Sequence, residues 1–327
     1  MAFFQTTVGA IILLIVGFVL LVKGADFFVE GASSVAKRLK IPALIIGLTI
    51  VAMGTSLPEA AVSISSSIQG SNSLAISNVT GSNIFNLMVV VGFCAIMAKS
   101  PVDRDTIRRD IPLSLLAAVL LIVFGATGMV TGRIEGLVLL LLFIGYIFLM
   151  IRSALKARAT GQEVSTEAVE EAEKAEIISI PKSILFIVGG AAAVVFGGDW
   201  VVDSASTLAS KMGLSETIIG LTIVAIGTSL PELVTSIVAT RKGEVDMALG
   251  NAIGSNIFNI LLIIGAAGAI SPIGIIQNNL LDLAVLVVFT ILVWVAVAKK
   301  KELKRPMGIV MVLLYAAYMV YIVLRDM

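Results

Sequence analysis

Apolar residues run along this chain in long blocks, separated by short segments rich in charge, Gly, Asn or Pro. Blocks of roughly twenty residues suit helices that cross about 30 Å of hydrocarbon and exclude the shorter strands of a membrane barrel. They predict ten spans, near 7–36, 42–68, 72–97, 111–127, 133–151, 183–210, 214–240, 245–269, 278–298 and 306–324. The first is longer than a bilayer needs, which predicts tilt. No basic residue precedes its apolar core and no cleavage-like ending follows, so it reads as a retained helix rather than a signal peptide. The expected fold class is an all-α polytopic membrane protein with ten transmembrane helices.

Composition strengthens this reading. The 327 residues are 58% hydrophobic and 14% charged, against roughly 45–50% apolar in a soluble domain. A net charge of +1 suggests neither nucleic acid nor an acidic partner, so basic residues are informative only by position. With the N-terminus outside, 19 of the 23 Lys and Arg fall in cytoplasmic connections, among them Lys37, Arg38, Lys40, Arg108 and Lys300. The opposite loops contain little beyond Arg133 and Lys211, and the positive-inside rule then predicts both termini outside. The hydrophilic stretch 152–182 gathers glutamates from Glu163 to Glu176 but lacks the Asp spacing and turn glycine of a Ca²⁺ loop. It is expected to be a solvated charged helix between two halves. Cys94 lies in an apolar run and is expected to be a small buried hydrophobe. The absence of histidine removes imidazole relays, His-ligated zinc and Ser-His catalysis.

The most informative pattern is internal. Residues 41–92 align with 214–265 without a gap, about half of the positions being identical. IIGLTIVAMGTSLPE in the first copy becomes IIGLTIVAIGTSLPE in the second, and GSNIFN recurs at 81–86 and 254–259. The domains expected are a first repeat over 1–151, the linker 152–182 and a second repeat over 183–327. Five spans per repeat make the second copy enter the membrane from the other side. Inverted repeats of this kind place substrate sites near the midplane, between broken helices from both halves.

Glu59 and Glu232 lie well inside the second and seventh spans, with no basic residue in the same spans to pair with them. A charged acid at the bilayer centre costs on the order of 2.5–3.5 kcal/mol on insertion scales, and a bound cation is the natural compensation. Pro58 and Pro231 precede the two acids and should break each helix. The break is expected to free carbonyls near Ala52 and Ala225, which hydrocarbon tolerates only where they line a polar cavity. A competing reading makes Ser56 with Glu59, and Ser229 with Glu232, simple capping boxes. Asn78, Ser82 and Asn86 recur every fourth residue, as do Asn251, Ser255 and Asn259, so each set forms one polar stripe. Ser82, Asn86, Ser255 and Asn259 are expected at or near a ligand, although helix packing through Gly250 and Gly254 also explains such stripes. Asp26, Glu30, Asp199, Asp203 and Asp282 sit toward span ends and read as interfacial acids.

GTSLPE paired with GSNIFN, duplicated in inverted halves, closely resembles the alpha repeats of the Ca²⁺/cation antiporter superfamily, specifically its prokaryotic sodium/calcium exchanger family. The resemblance covers nearly the whole chain. It implies a ten-helix exchanger of the prokaryotic inner membrane. Its second, third, seventh and eighth spans enclose the site, and the first and sixth slide across them to alternate access. Glu59 and Glu232 would be shared Ca²⁺ and Na⁺ ligands. Thr55, Ser56, Thr228 and Ser229, with the carbonyls of Ala52 and Ala225, would complete the Na⁺ sites. Ser82, Asn86, Ser255 and Asn259 would line the centre. Potassium-dependent relatives carry Asp where this chain has Asn259, so transport is expected to be K⁺-independent. The short linker lacks a large regulatory domain, and no cofactor is implied beyond the transported ions. A self-contained bundle could act as a monomer. Two carboxylates balance one Ca²⁺, so exchange for more than two Na⁺ would be electrogenic. Ca²⁺/H⁺ antiport is the near alternative, because both glutamates could carry protons. A passive channel and an intramembrane enzyme are more distant, since two near-identical halves offer no distinct acid and base.

Overall fold

The computed structural model describes residues 6–68, 72–160, 177–213 and 225–326. Helix α1 (Thr7–Leu39) begins where the Thr6 hydroxyl accepts the Gly9 N–H at 3.0 Å and ends at Lys40, whose φ of 55° stops the helix. Its 33 residues span about 50 Å, consistent with tilt in a bilayer. A bent pair follows, α2 (Ala43–Thr55) and α3 (Leu57–Ile68), then α4 (Ala75–Met97), α5 (Thr106–Ala126) and α6 (Arg133–Thr160). The second half comprises α7 (Ile180–Lys211), a short turn Ala225–Gly227, α8 (Leu230–Arg241), α9 (Val245–Ile270), α10 (Gln277–Lys300) and α11 (Arg305–Asp326).

Eight helices are long and apolar enough to cross a membrane alone, and α2–α3 makes a ninth span among the described residues. The expected span over 214–240 is described only from residue 225, because 214–224 lie outside the described residues. The acidic cluster of the linker lies outside them too. Two boundaries differ from the sequence reading. Helix α6 runs nine residues past 151, carried by the strong helix formers of SALKARA. Helix α5 starts at Thr106 rather than 111, opening with a wide π-type turn over Thr106–Asp110.

Burial separates the helices into two classes. In α4 and α9 the most apolar stretch is 83% and 78% buried, against 33% in α1 and 28% in α7. The GTSLPE and GSNIFN segments therefore occupy the centre, while α1 and α7 lie outside them. These outer two pack antiparallel through small residues seven apart: Gly17, Gly24 and Gly31 on α1 meet Gly197, Gly190 and Ser183 on α7. A Cβ added at Gly190 would stand 2.6 Å from the Phe28 nitrogen, so only glycine permits this approach. At the C-terminal end of α1, Arg38 and Ser34 both donate to the Ile178 carbonyl, at 3.0 and 3.3 Å.

Two short antiparallel ribbons join the halves. β1 (Ser100–Pro101) pairs with β4 (Glu302–Leu303), and β2 (Val130–Thr131) pairs with β3 (Ile273–Gly274). Because α5 separates β1 from β2, the ribbons close opposite ends of the bundle, and each takes one strand from each repeat.

Candidate ion-binding site

The bends that build the site follow from the prolines. α2 and α3 meet at 47°. Ser56, with φ −82° and ψ 9°, departs from helix geometry between them, as does Ser229, with φ −94° and ψ 5°. Pro58 and Pro231 have no N–H to donate four residues back, which leaves the Gly54 and Gly227 carbonyls without that partner. The Ala52 carbonyl is not freed as the sequence reading expected: it accepts the Ser56 N–H at 3.1 Å and lies 3.5 Å from the Ser255 hydroxyl. Ala225 opens the short turn Ala225–Gly227 that precedes the second bend.

Glu59 and Glu232 are fully buried, and each is held by serines from both repeats. Ser229 donates to Glu59 Oε1 at 3.3 Å and Ser82 to the same atom at 3.2 Å. In the mirrored arrangement Ser56 donates to Glu232 Oε1 at 3.0 Å and Ser255 at 3.4 Å. The motif serines thus cross over, each reaching the glutamate of the opposite repeat. This replaces the capping-box reading for Ser229, whose side chain makes no cap bond, and turns the Ser56 hydroxyl away from its own helix.

Both carboxylates keep a second oxygen, Oε2, that is buried and has no hydrogen-bond partner. Asn86 is buried with neither amide atom partnered, and the Asn259 Oδ1 is likewise unclaimed. Asn259 donates its Nδ2 to Asn83 Oδ1 at 2.9 Å. Asn86 and Asn259 each open a wide π-type turn, Asn86–Val90 and Asn259–Ile264, a distortion that proteins concentrate at functional sites. Thr55 is buried, whereas Thr228 is half-buried.

Oxygen atoms that are buried and unclaimed, two of them on carboxylates, form the hard donor set that alkali and alkaline-earth cations prefer. Among the described residues no three Asp, Glu, His or Cys side chains cluster, so most donors must be hydroxyls, amides and carbonyls. The acids expected at interfaces lie away from this centre. Asp26 pairs with Lys242 at 2.8 Å, Asp282 with Arg325 at 2.8 Å, and Asp199 and Asp203 are exposed.

Sequence reasoning passed over four residues that hold the site together. Asn83 and Asn256 each donate to the other's backbone carbonyl, at 3.1 and 3.0 Å, tying α4 of the first repeat to α9 of the second. Ser63 and Ser236 accept from Asn78 and Asn251, at 3.1 and 3.0 Å. All four are identical between the two copies, which was the available signal.

Inverted halves around a buried pair of carboxylates define a secondary cation transporter. The chain belongs to the sodium/calcium exchanger family: the family described as "Sodium/calcium exchanger protein" matches residues 9–152 and 182–324. It is 43% identical over 263 residues to the "Putative antiporter CaxA" of Alkalimonas amylolytica, covering 80% of this chain and 81% of that relative. It is 35% identical over 345 residues to the "Sodium/calcium exchanger MaX1" of Methanosarcina acetivorans, covering 96% and 98%. A solved structure of the sodium-calcium exchanger NCX_Mj, soaked with Na⁺ and Sr²⁺, superposes with a TM-score of 0.82 at 30% identity, covering 96% of this chain and 99% of that one. The protein is therefore a multi-pass membrane sodium/calcium antiporter and not an enzyme.

Proposed function

We propose that Na⁺ and Ca²⁺ compete for one central site in which Glu59 and Glu232 are the ligands common to both ions. The observation that carries this reading is that each carboxylate is anchored through Oε1 by serines of both repeats and keeps Oε2 buried and unclaimed. Ser56, Ser82, Ser229 and Ser255 position the acids. Thr55, Thr228 and the carbonyls of Ala52 and Ala225 add neutral oxygens at the two ends of the site, with Asn86 and Asn259 lining its centre.

Two carboxylates neutralise one Ca²⁺, whereas more than two Na⁺ leave a net positive charge, so exchange is electrogenic. Asn in place of an acid at 259 leaves no third carboxylate for K⁺, and transport is K⁺-independent. Ten spans in two inverted repeats, 1–151 and 183–327, alternate access as α1 and α7 move together along the central four. Their close glycine-mediated packing supports such joint movement. The positive-inside bias supports both termini outside in a prokaryotic inner membrane, and the self-contained bundle acts as a monomer.

The test is uptake of radiolabelled Ca²⁺ by Na⁺-loaded proteoliposomes diluted into Na⁺-free medium. Na⁺-dependent uptake, unaltered by K⁺, stimulated by an inside-positive potential because more positive charge leaves as Na⁺ than enters as Ca²⁺, and abolished in Glu59→Ala/Glu232→Ala, is the expected result. Uptake that ignores Na⁺ and follows a pH gradient would replace this reading with Ca²⁺/H⁺ antiport.

A further inference from the structure

The amide of Asn251 joins three parts of the molecule at the edge of the site. Its Oδ1 accepts the Thr55 hydroxyl at 3.0 Å, across the repeat boundary. Its Nδ2 donates to the Ser236 hydroxyl at 3.0 Å and lies 3.4 Å from the Glu232 carbonyl, both on α8. Asn251, Thr55 and Ser236 are all buried. The Thr55 hydroxyl has one hydrogen and three acceptors in reach, the other two being the carbonyls of Val51 at 3.2 Å and Ala52 at 3.4 Å. Asn251 offers the shortest contact, and a hydrogen directed to it leaves the threonine lone pairs for a cation and spares the Ala52 carbonyl, which already accepts the Ser56 N–H, a further donor.

The first repeat contains the same construction. Asn78 donates to Ser63 at 3.1 Å and accepts from Thr228 at 3.5 Å, but here Asn78 and Thr228 are half-buried and the bond is longer. The recurrence of the whole Thr–Asn–Ser chain, with each threonine drawn from the opposite repeat, is more than helix packing requires.

We propose that Asn251 and Asn78 are positioning residues that orient the Thr55 and Thr228 hydroxyls and thereby set the strength of the neutral-oxygen ends of the site, Asn251 exerting the tighter hold. The proposal rests on the shared-site reading above. A monovalent ion depends more on neutral oxygens than Ca²⁺ does, because Ca²⁺ draws most of its attraction from the two carboxylates. Loss of Asn251 should therefore weaken Na⁺ more than Ca²⁺.

Half-saturating Na⁺ and Ca²⁺ concentrations are measured in proteoliposomes for the wild type, Asn251→Ala, Thr55→Val, the double variant and Asn78→Ala. Asn251→Ser, too short to reach Thr55, serves if the alanine variant does not accumulate. The loss of one buried hydrogen bond predicts a rise of about five-fold in half-saturating Na⁺ for Asn251→Ala. Half-saturating Ca²⁺ should move less than two-fold. Thr55→Val, which removes the oriented hydroxyl itself, should shift Na⁺ at least as far, the double variant should be no worse than Thr55→Val alone, and Asn78→Ala should shift Na⁺ less. Equal shifts for both ions, additive effects in the double variant, or a lower maximal rate with unchanged half-saturation would overturn the proposal. A wild type that ignores Na⁺ would instead fail the shared-site reading itself, so the two failures are distinguishable.

Discussion

Glu59 and Glu232 are the residues on which the proposed site turns, because a buried carboxylate oxygen without a donor is tolerable only when a positive charge visits it. Their state should be visible in stability as well as in transport. Ca²⁺ at a hundred times its dissociation constant is expected to add about 2.7 kcal/mol to the folded state. In detergent this appears as a raised thermal midpoint for the wild type and no shift for Glu59→Gln/Glu232→Gln. An equal Ca²⁺ shift in the double variant would place the ion elsewhere. The identity of these two acids was readable from their Pro-Glu repeat in otherwise apolar spans. Which serine serves which acid was not, because Ser56 and Glu232 are brought together from opposite halves of the chain, and a duplicated motif is compatible with pairing inside or across copies.

At the scale of elements, adjacent glycines on α7 offer a controlled comparison. Gly190 faces α1 at backbone contact, whereas a Cβ at Gly189 would meet nothing within 4 Å. Gly190→Leu should cost about 1–3 kcal/mol through overpacking and abolish transport. Gly189→Leu should leave both the thermal midpoint and Ca²⁺ uptake near wild type. Comparable losses in the two variants would mean that the interface is not what glycine serves there. The helices themselves were largely legible, since blocks of apolar residues leave a bilayer helix few alternatives. The seven-residue glycine register of α1 was not, because hydropathy does not distinguish a small residue facing a helix from one facing lipid. The ribbons were equally hidden: two-residue strands such as Ser100–Pro101 carry no periodicity, and their partners lie in the other half. The bend at Pro58 was foreseen, but its backbone consequence was displaced by two residues, because the bond that a proline loses is the one four residues back, at Gly54.

For the whole molecule, the contacts between halves matter more than the covalent join. The α1–α7 interface, both ribbons, the crossed serines and the Asn83–Asn256 exchange all link one repeat to the other. Fragments 1–168 and 169–327 produced together should co-purify through a tag on either one and support Na⁺-dependent Ca²⁺ uptake. Each fragment alone should show none. Failure of the pair to associate would mean that the linker does more than connect.

The crossed serines also bear on how such a chain could arise. A lone copy would have its glutamate and one steadying hydroxyl, as Glu59 has Ser82, but not the second, since that one comes from the opposite copy. Its ancestor could complete a site only by meeting a second copy of itself threaded through the membrane in the reverse sense. Fusing two such copies fixes one in each direction for good and releases them from the need to remain alike. Asn78 and Asn251, once the same residue, are then free to drift into a looser and a tighter grip on the two faces of the membrane.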